Sequence, residues 1–132
     1  MKTIKKDIEN LDDIKELVNQ FYTSVQKDNM IGPIFDEVIE GRWPEHLEKM
    51  YTFWETILLD NHSYHGRPFP PHANLPIERN HFERWLELFK ATLSRLFDGP
   101  KADEAFVRAR NMAELFIIKL EHIRKDPFRP LI

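Results

Sequence analysis

The stretch Pro68-Phe69-Pro70-Pro71-His72-Ala73-Asn74-Leu75-Pro76 constrains this chain more than any other, because its four prolines fix φ and remove backbone donors. A segment built this way cannot continue the helical patterns on either side of it. It presents His72 on a stiff tether, and a stiff tether suits a metal ligand. The amphipathic pattern that begins after Pro76 carries Trp85 and Phe89 on its apolar stripe, so a histidine and a large indole are delivered to the same side of the molecule.

At 132 residues the chain is read as a single domain, 1–132, with an N-terminal arm over 1–9 and a C-terminal tail over 126–132. A domain of this size buries roughly two-thirds of its unfolded surface, enough for a core that holds a guest. The net charge of −3 gives no nucleic-acid footprint, and clusters such as Lys5-Lys6 and Arg124-Lys125 read as solvated faces. The absence of cysteine leaves only oxygen and nitrogen ligands for any metal. No apolar run is long enough for a signal peptide or a membrane span, so neither nucleic acid nor membrane is an expected partner, and a cytoplasmic protein is expected. Aromatic residues reach 12%, generous for a small helical domain, and they invite the idea of something flat packed inside.

The periodicity predicts five helices and no strand. Asn10 caps a helix of about 17 residues with Leu11, Ile14, Leu17, Val18, Phe21, Tyr22 and Val25 on its stripe. Pro33 opens a short piece through Ile39 that ends at Gly41, with Phe35 pointing inward from a tight corner. Pro44 starts a third helix on which His46, Leu47, Met50, Phe53, Trp54, Ile57 and Leu58 share a face. The span 60–80 has no period; a loop of that length with this aromatic content is expected to fold over a ligand, with His62 and His65 exposed and without a role. A fourth helix is expected over Ile77 to Phe97 and a fifth over Asp103 to Ile123, the latter burying Phe106, Val107, Met112, Ala113, Phe116, Ile117 and Leu120.

Taken singly, the polar side chains on these stripes have ordinary explanations. A buried tyrosine such as Tyr22 usually bonds a neighbouring carbonyl, and a histidine at the rim of a stripe, such as His46, is usually packed or snorkelling. Their weight changes with company. Phe21-Tyr22, Ile31-Gly32-Pro33-Ile34-Phe35, Trp43 with His46, Phe53-Trp54, Tyr64 and Gly66-Arg67-Pro68, then His72 with Leu75-Pro76, His81-Phe82, Trp85-Leu86 and Leu88-Phe89 follow one another at separations that span nearly the whole chain. In this joint occurrence the chain resembles the truncated haemoglobins, and among them the third group. The isolated glycines Gly32, Gly41, Gly66 and Gly99 agree, since that group lacks the paired-glycine motifs of the others.

The resemblance implies an all-α, truncated globin-like two-over-two helical sandwich that binds haem b. It implies that His72 is the proximal iron ligand, that Tyr22, Phe35 and Trp85 line the distal pocket, and that His46 stands at the distal entrance. Met50, Trp54 and Phe89 then pack the cofactor's surroundings. Tyr22 and Trp85 would each point a donor at a bound diatomic ligand, which implies slow release of dioxygen. Slow release suits redox or scavenging chemistry on nitric oxide, peroxide or small anionic ligands, with an unidentified reductase as partner, better than transport. Activity of a nitric oxide dioxygenase or peroxidase kind is consistent with this.

Two other classes compete. Glu78-Arg79-Asn80-His81 reads as the Glu-x-x-His of a di-iron bundle, although such a site needs a second pair and two more glutamates. A cofactor-free helical interaction domain would leave Tyr22, His46, His72 and Trp85 merely packed or exposed.

Overall fold

The computed structural model describes residues 5–60, 64 and 77–125. The proline-rich stretch with His72, the histidines at 62 and 65, most of the expected covering loop and the tail over 126–132 lie outside the described residues. Five helices are present in the order α1 (Leu11–Lys27), α2 (Gly32–Ile39), α3 (Trp43–Leu59), α4 (Arg79–Leu96) and α5 (Pro100–Lys125), and no strand occurs among the described residues.

Helix α1 begins where the Asn10 side chain accepts the Asp13 N–H at 3.0 Å, as its sequence predicts. Its stripe from Ile14 to Val25 is buried. The turn after it is tied by Asp28, whose carboxylate accepts the N–H groups of Met30 and Ile31 and takes the Arg84 guanidinium of α4 at 2.7 Å. Gly32 is forced by proximity, because a Cβ there would lie 2.9 Å from the carbonyl oxygens of Val25 and Gln26. Helix α2 therefore leaves hard against the end of α1, and it stops at Glu40 and Gly41, both at positive φ.

Helices α1 and α3 pack as one pair and α4 and α5 as another, joined where α1 crosses α4, while α2 rests on α1. This is the two-over-two arrangement expected from the sequence. Helices α3 and α4 both lean on α1 yet scarcely approach one another along their backbones.

Helix α5 departs from its sequence reading at both ends and on one face. It starts at Pro100, three residues earlier than expected, because its cap arrives from the N-terminal arm: Asp7 accepts the N–H groups of Lys101 and Ala102, each at 2.9 Å. Its buried stripe runs through Ala102, Ala105, Ala109 and Ala113 to Phe116, Ile117 and Leu120. Val107, expected inside, is 40% exposed, since the buried face runs through Ala102, Ala105 and Ala109 and leaves Val107 on the opposite face of the helix. Phe106 is half-buried, with Lys90 and Arg110 over its ring.

Helix α4 begins two residues later than expected, at Arg79, behind a capping box. His81 is half-buried, and its Nδ1 accepts the Glu78 N–H at 2.9 Å.

Candidate functional site

Tyr22 is the centre of the site. It sits at the C-terminal half of α1 with only 6% of its surface exposed. Rings from three elements meet its own ring edge-on: Phe21 at 4.9 Å, His46 of α3 at 5.0 Å, Trp43 of α3 at 5.8 Å and Phe35 of α2 at 6.0 Å between centroids. Edge-to-face contacts of this kind favour one orientation of each ring. Burial pushes the Tyr22 phenol well above the ordinary tyrosine range, so its hydroxyl stays protonated and serves as a donor.

The cage exists because the local folds converge. The tight exit at Gly32 aims Phe35 back at α1, and Trp43 and His46 share a face at i, i+3 in the first turn of α3. Trp43 and His46 also meet edge-on, at 5.8 Å and 89°, so the three rings of Tyr22, Trp43 and His46 contact one another mutually. The sequence reading did not assign Trp43 a place in the site. The signal was the Trp43-x-x-His46 spacing, which puts both side chains over one turn.

A second group of rings adjoins the first. Phe21 meets Trp85 at 5.4 Å and Phe89 at 5.1 Å, both edge-on. Phe89 stacks with two indoles, Trp85 at 5.5 Å and Trp54 at 5.1 Å. The structure thus joins Tyr22, Phe35, His46, Trp54, Trp85 and Phe89 in one connected network of rings. Met50 is half-buried and packs on the same core one turn along α3 from His46. His72 lies outside the described residues, as stated above.

The exposures are uneven in an informative way. Trp54 and Phe89 are buried, whereas Phe35, Trp43, Leu47, Met50, Trp85 and Leu86 pack on the core from one side and remain half-buried. These are large apolar groups carried by α2, α3 and α4. A flat apolar guest would cover surface that water otherwise wets. A hollow of about 480 Å³ between α4, α5 and the N-terminal arm is lined by Lys5, Lys90, Phe97 and Phe106 and includes none of these side chains.

The Glu78-x-x-His81 pair serves a different purpose from the one a di-iron bundle requires, since its two residues cap α4 reciprocally. Among the described residues no cluster of three or more His, Asp or Glu side chains could hold a metal ion. No described helix is long and apolar enough to cross a membrane.

The family described as bacterial-like globin matches this chain over residues 7–116. A group 3 truncated hemoglobin of Campylobacter jejuni, ctb, is 34% identical over 111 residues, which span 81% of this chain and 87% of that one. The crystal structure of a group III truncated hemoglobin from Campylobacter jejuni matches with a TM-score of 0.82 at 33% identity, covering 89% of this chain and 95% of the other.

Proposed function

The chain belongs to the bacterial-like globin family, in the third group of the truncated haemoglobins, and from that premise we propose that it binds haem b through the imidazole of His72 and holds dioxygen and related diatomic ligands beside Tyr22 and Trp85. Haem-based binding of small ligands is what membership of this family carries. The described residues fit the group: the half-buried faces of Phe35, Trp43, Met50, Trp85 and Leu86 offer apolar walls. When bound, haem would supply an iron centre able to take up a small diatomic ligand.

The observation that carries this reading is the buried, protonated phenol of Tyr22 inside its cage of rings. A hydroxyl kept neutral by desolvation donates a hydrogen bond and does not compete as an anion. The Trp85 indole N–H is likewise a donor only. Phe89 lies flat against Trp85, with 3° between their planes, and so holds the indole in one plane. His46 meets Tyr22 and Trp43 edge-on, and in this reading it gates the entrance or carries a proton. Two donors in a dry site favour retention of the ligand, which suits scavenging or redox turnover of nitric oxide or peroxide over oxygen delivery. Such turnover would call on a separate reductase.

Titrating the purified full-length chain with haem tests the proposal. One haem per chain with a sharp Soret band is expected, and a chain that stays colourless or takes up haem without a defined stoichiometry would overturn it.

A further inference from the structure

The rings of α3 and α4 continue beyond the candidate pocket as a single file. Trp85 stacks on Phe89, and Phe89 stacks on Trp54 at 5.1 Å with 19° between planes. Phe53 meets Trp54 at 5.3 Å, and Tyr64 meets Phe53 at 5.2 Å. The file therefore alternates oxidisable rings, Trp85, Trp54 and Tyr64, with the inert bridges Phe89 and Phe53. Its interior is dry, with Trp54 only 3% exposed, while Trp85 and Tyr64 at the two ends are half-buried.

We propose that Trp85, Trp54 and Tyr64 form an electron relay that carries oxidising equivalents from the haem site to the protein surface when a hydroperoxide is the oxidant. The proposal rests on the haem reading given above. Reducing a hydroperoxide ROOH to ROH and water consumes two electrons and two protons. The relay supplies the electrons one at a time. An electron leaves Trp85 for the haem site, Trp54 refills Trp85 across Phe89, and Tyr64 refills Trp54 across Phe53. Tyr64 releases its phenolic proton to water in the same step and becomes a neutral phenoxyl radical. A soluble one-electron donor of the ascorbate or phenol class, with one proton from water, restores it.

Proton release at Tyr64 gives the relay its direction. Trp54 has no solvent to accept an N–H proton, so a hole there is not trapped and moves on. Tyr64 begins protonated, its phenol pushed up by burial, yet it is open enough to lose the proton once oxidised. The branch from Trp85 through Phe21 to Tyr22 leads back toward the haem site, to a phenol with 6% exposure, and so carries nothing to the surface.

Two measurements on the full-length chain test this. In the first, the haem-loaded protein is mixed with hydrogen peroxide and a nitroso spin trap, and the adduct is located by peptide mass mapping. The adduct, counted per bound haem in each protein, is expected on Tyr64, absent in Tyr64→Phe and at least tenfold weaker in Trp54→Leu. A principal adduct on Tyr22 or Tyr51, or a Tyr64 adduct undiminished in Trp54→Leu, overturns the relay. In the second, azide radicals generated by pulse radiolysis oxidise tryptophan in the chain before haem is added. The tyrosyl absorbance should grow as the tryptophanyl absorbance decays, at a rate independent of protein concentration and at least tenfold slower in Tyr64→Phe. An unchanged rate in that variant overturns the relay on its own. A chain that takes up no haem defeats the haem reading through the first measurement, while the second still reports on the file of rings.

Discussion

Tyr22→Phe removes one oxygen atom from a side chain whose ring is held by Phe21, Phe35, Trp43 and His46 at centroid distances between 4.9 and 6.0 Å. Because every one of those contacts is to the ring, the variant keeps its packing, and any change in ligand escape reports the lost hydroxyl. The Tyr22 phenol is buried and protonated, so on the proposed reading what is lost is a donor to a bound ligand that carries partial negative charge. Such a bond contributes about 1.5–3 kcal/mol. Converted to a rate, dioxygen release should accelerate roughly ten- to hundredfold. Stopped-flow displacement of dioxygen by carbon monoxide measures this directly. An off-rate within threefold of the parent, in a variant with unaltered haem content and thermal midpoint, would remove Tyr22 from the donor role.

Three further outcomes follow from the frame around the site. In Gly99→Ala, a residue at φ +148 gains a Cβ 2.5 Å from Asp7 Cγ, combining backbone strain of about 1–3 kcal/mol with loss of a helix cap worth about 0.5–2 kcal/mol. A fall of roughly 5–18 °C in Tm is expected, and a loss below 3 °C would show that the arm yields without cost. In acid, the carboxyls of Asp7, Asp13 and Asp28 matter. Burial pushes each one up but is outweighed, by the N–H groups of Lys101, Ala102 and Ile8 at Asp7, by Lys6 and the Glu9 N–H at Asp13, and by the Ile31 N–H and Arg84 at Asp28, so all three lie below the ordinary aspartate range. The unfolded chain then binds more protons than the folded one, and the stability these groups contribute is whole above the unfolded value of about 3.9 and is lost as pH falls through their folded values. Urea midpoints should decline below about pH 4, less steeply in Asp7→Asn, and equal slopes in the two proteins would count against the clamp. His81→Ala should cost about 0.5–2 kcal/mol through half of the α4 capping box and leave metal content unchanged; loss of bound iron without loss of stability would revive the di-iron alternative.

What the sequence made legible was local. The Asn10–Asp13 cap and the stripe behind it gave α1 its start and its buried face, and Pro44 marked the first turn of α3. The start of α5 was not legible, because its cap comes from Asp7 and no signal near Pro100 reports a partner so distant in the chain. The face of α5 was misjudged at Val107 because bulky residues draw the eye, whereas contact with the rest of the bundle is made through Ala102, Ala105 and Ala109. At the site, Tyr22, Phe35, His46, Trp54, Trp85 and Phe89 stood out by residue type and by their order. That Trp43 closes the ring cage required the angle between α1 and α3, which is set by packing and not by spacing alone. The alternation of Trp85, Phe89, Trp54, Phe53 and Tyr64 likewise emerges only when two helices and the residue at 64 are brought together in space.

The central claim is tested most directly by the optical spectrum of the reduced, carbon monoxide-bound protein in the parent chain and in His72→Ala. The parent should give one haem per chain with the spectrum of a histidine-ligated ferrous carbonyl, and the variant should lose stoichiometric haem unless free imidazole is added. An identical spectrum and haem content in His72→Ala without imidazole would contradict the account.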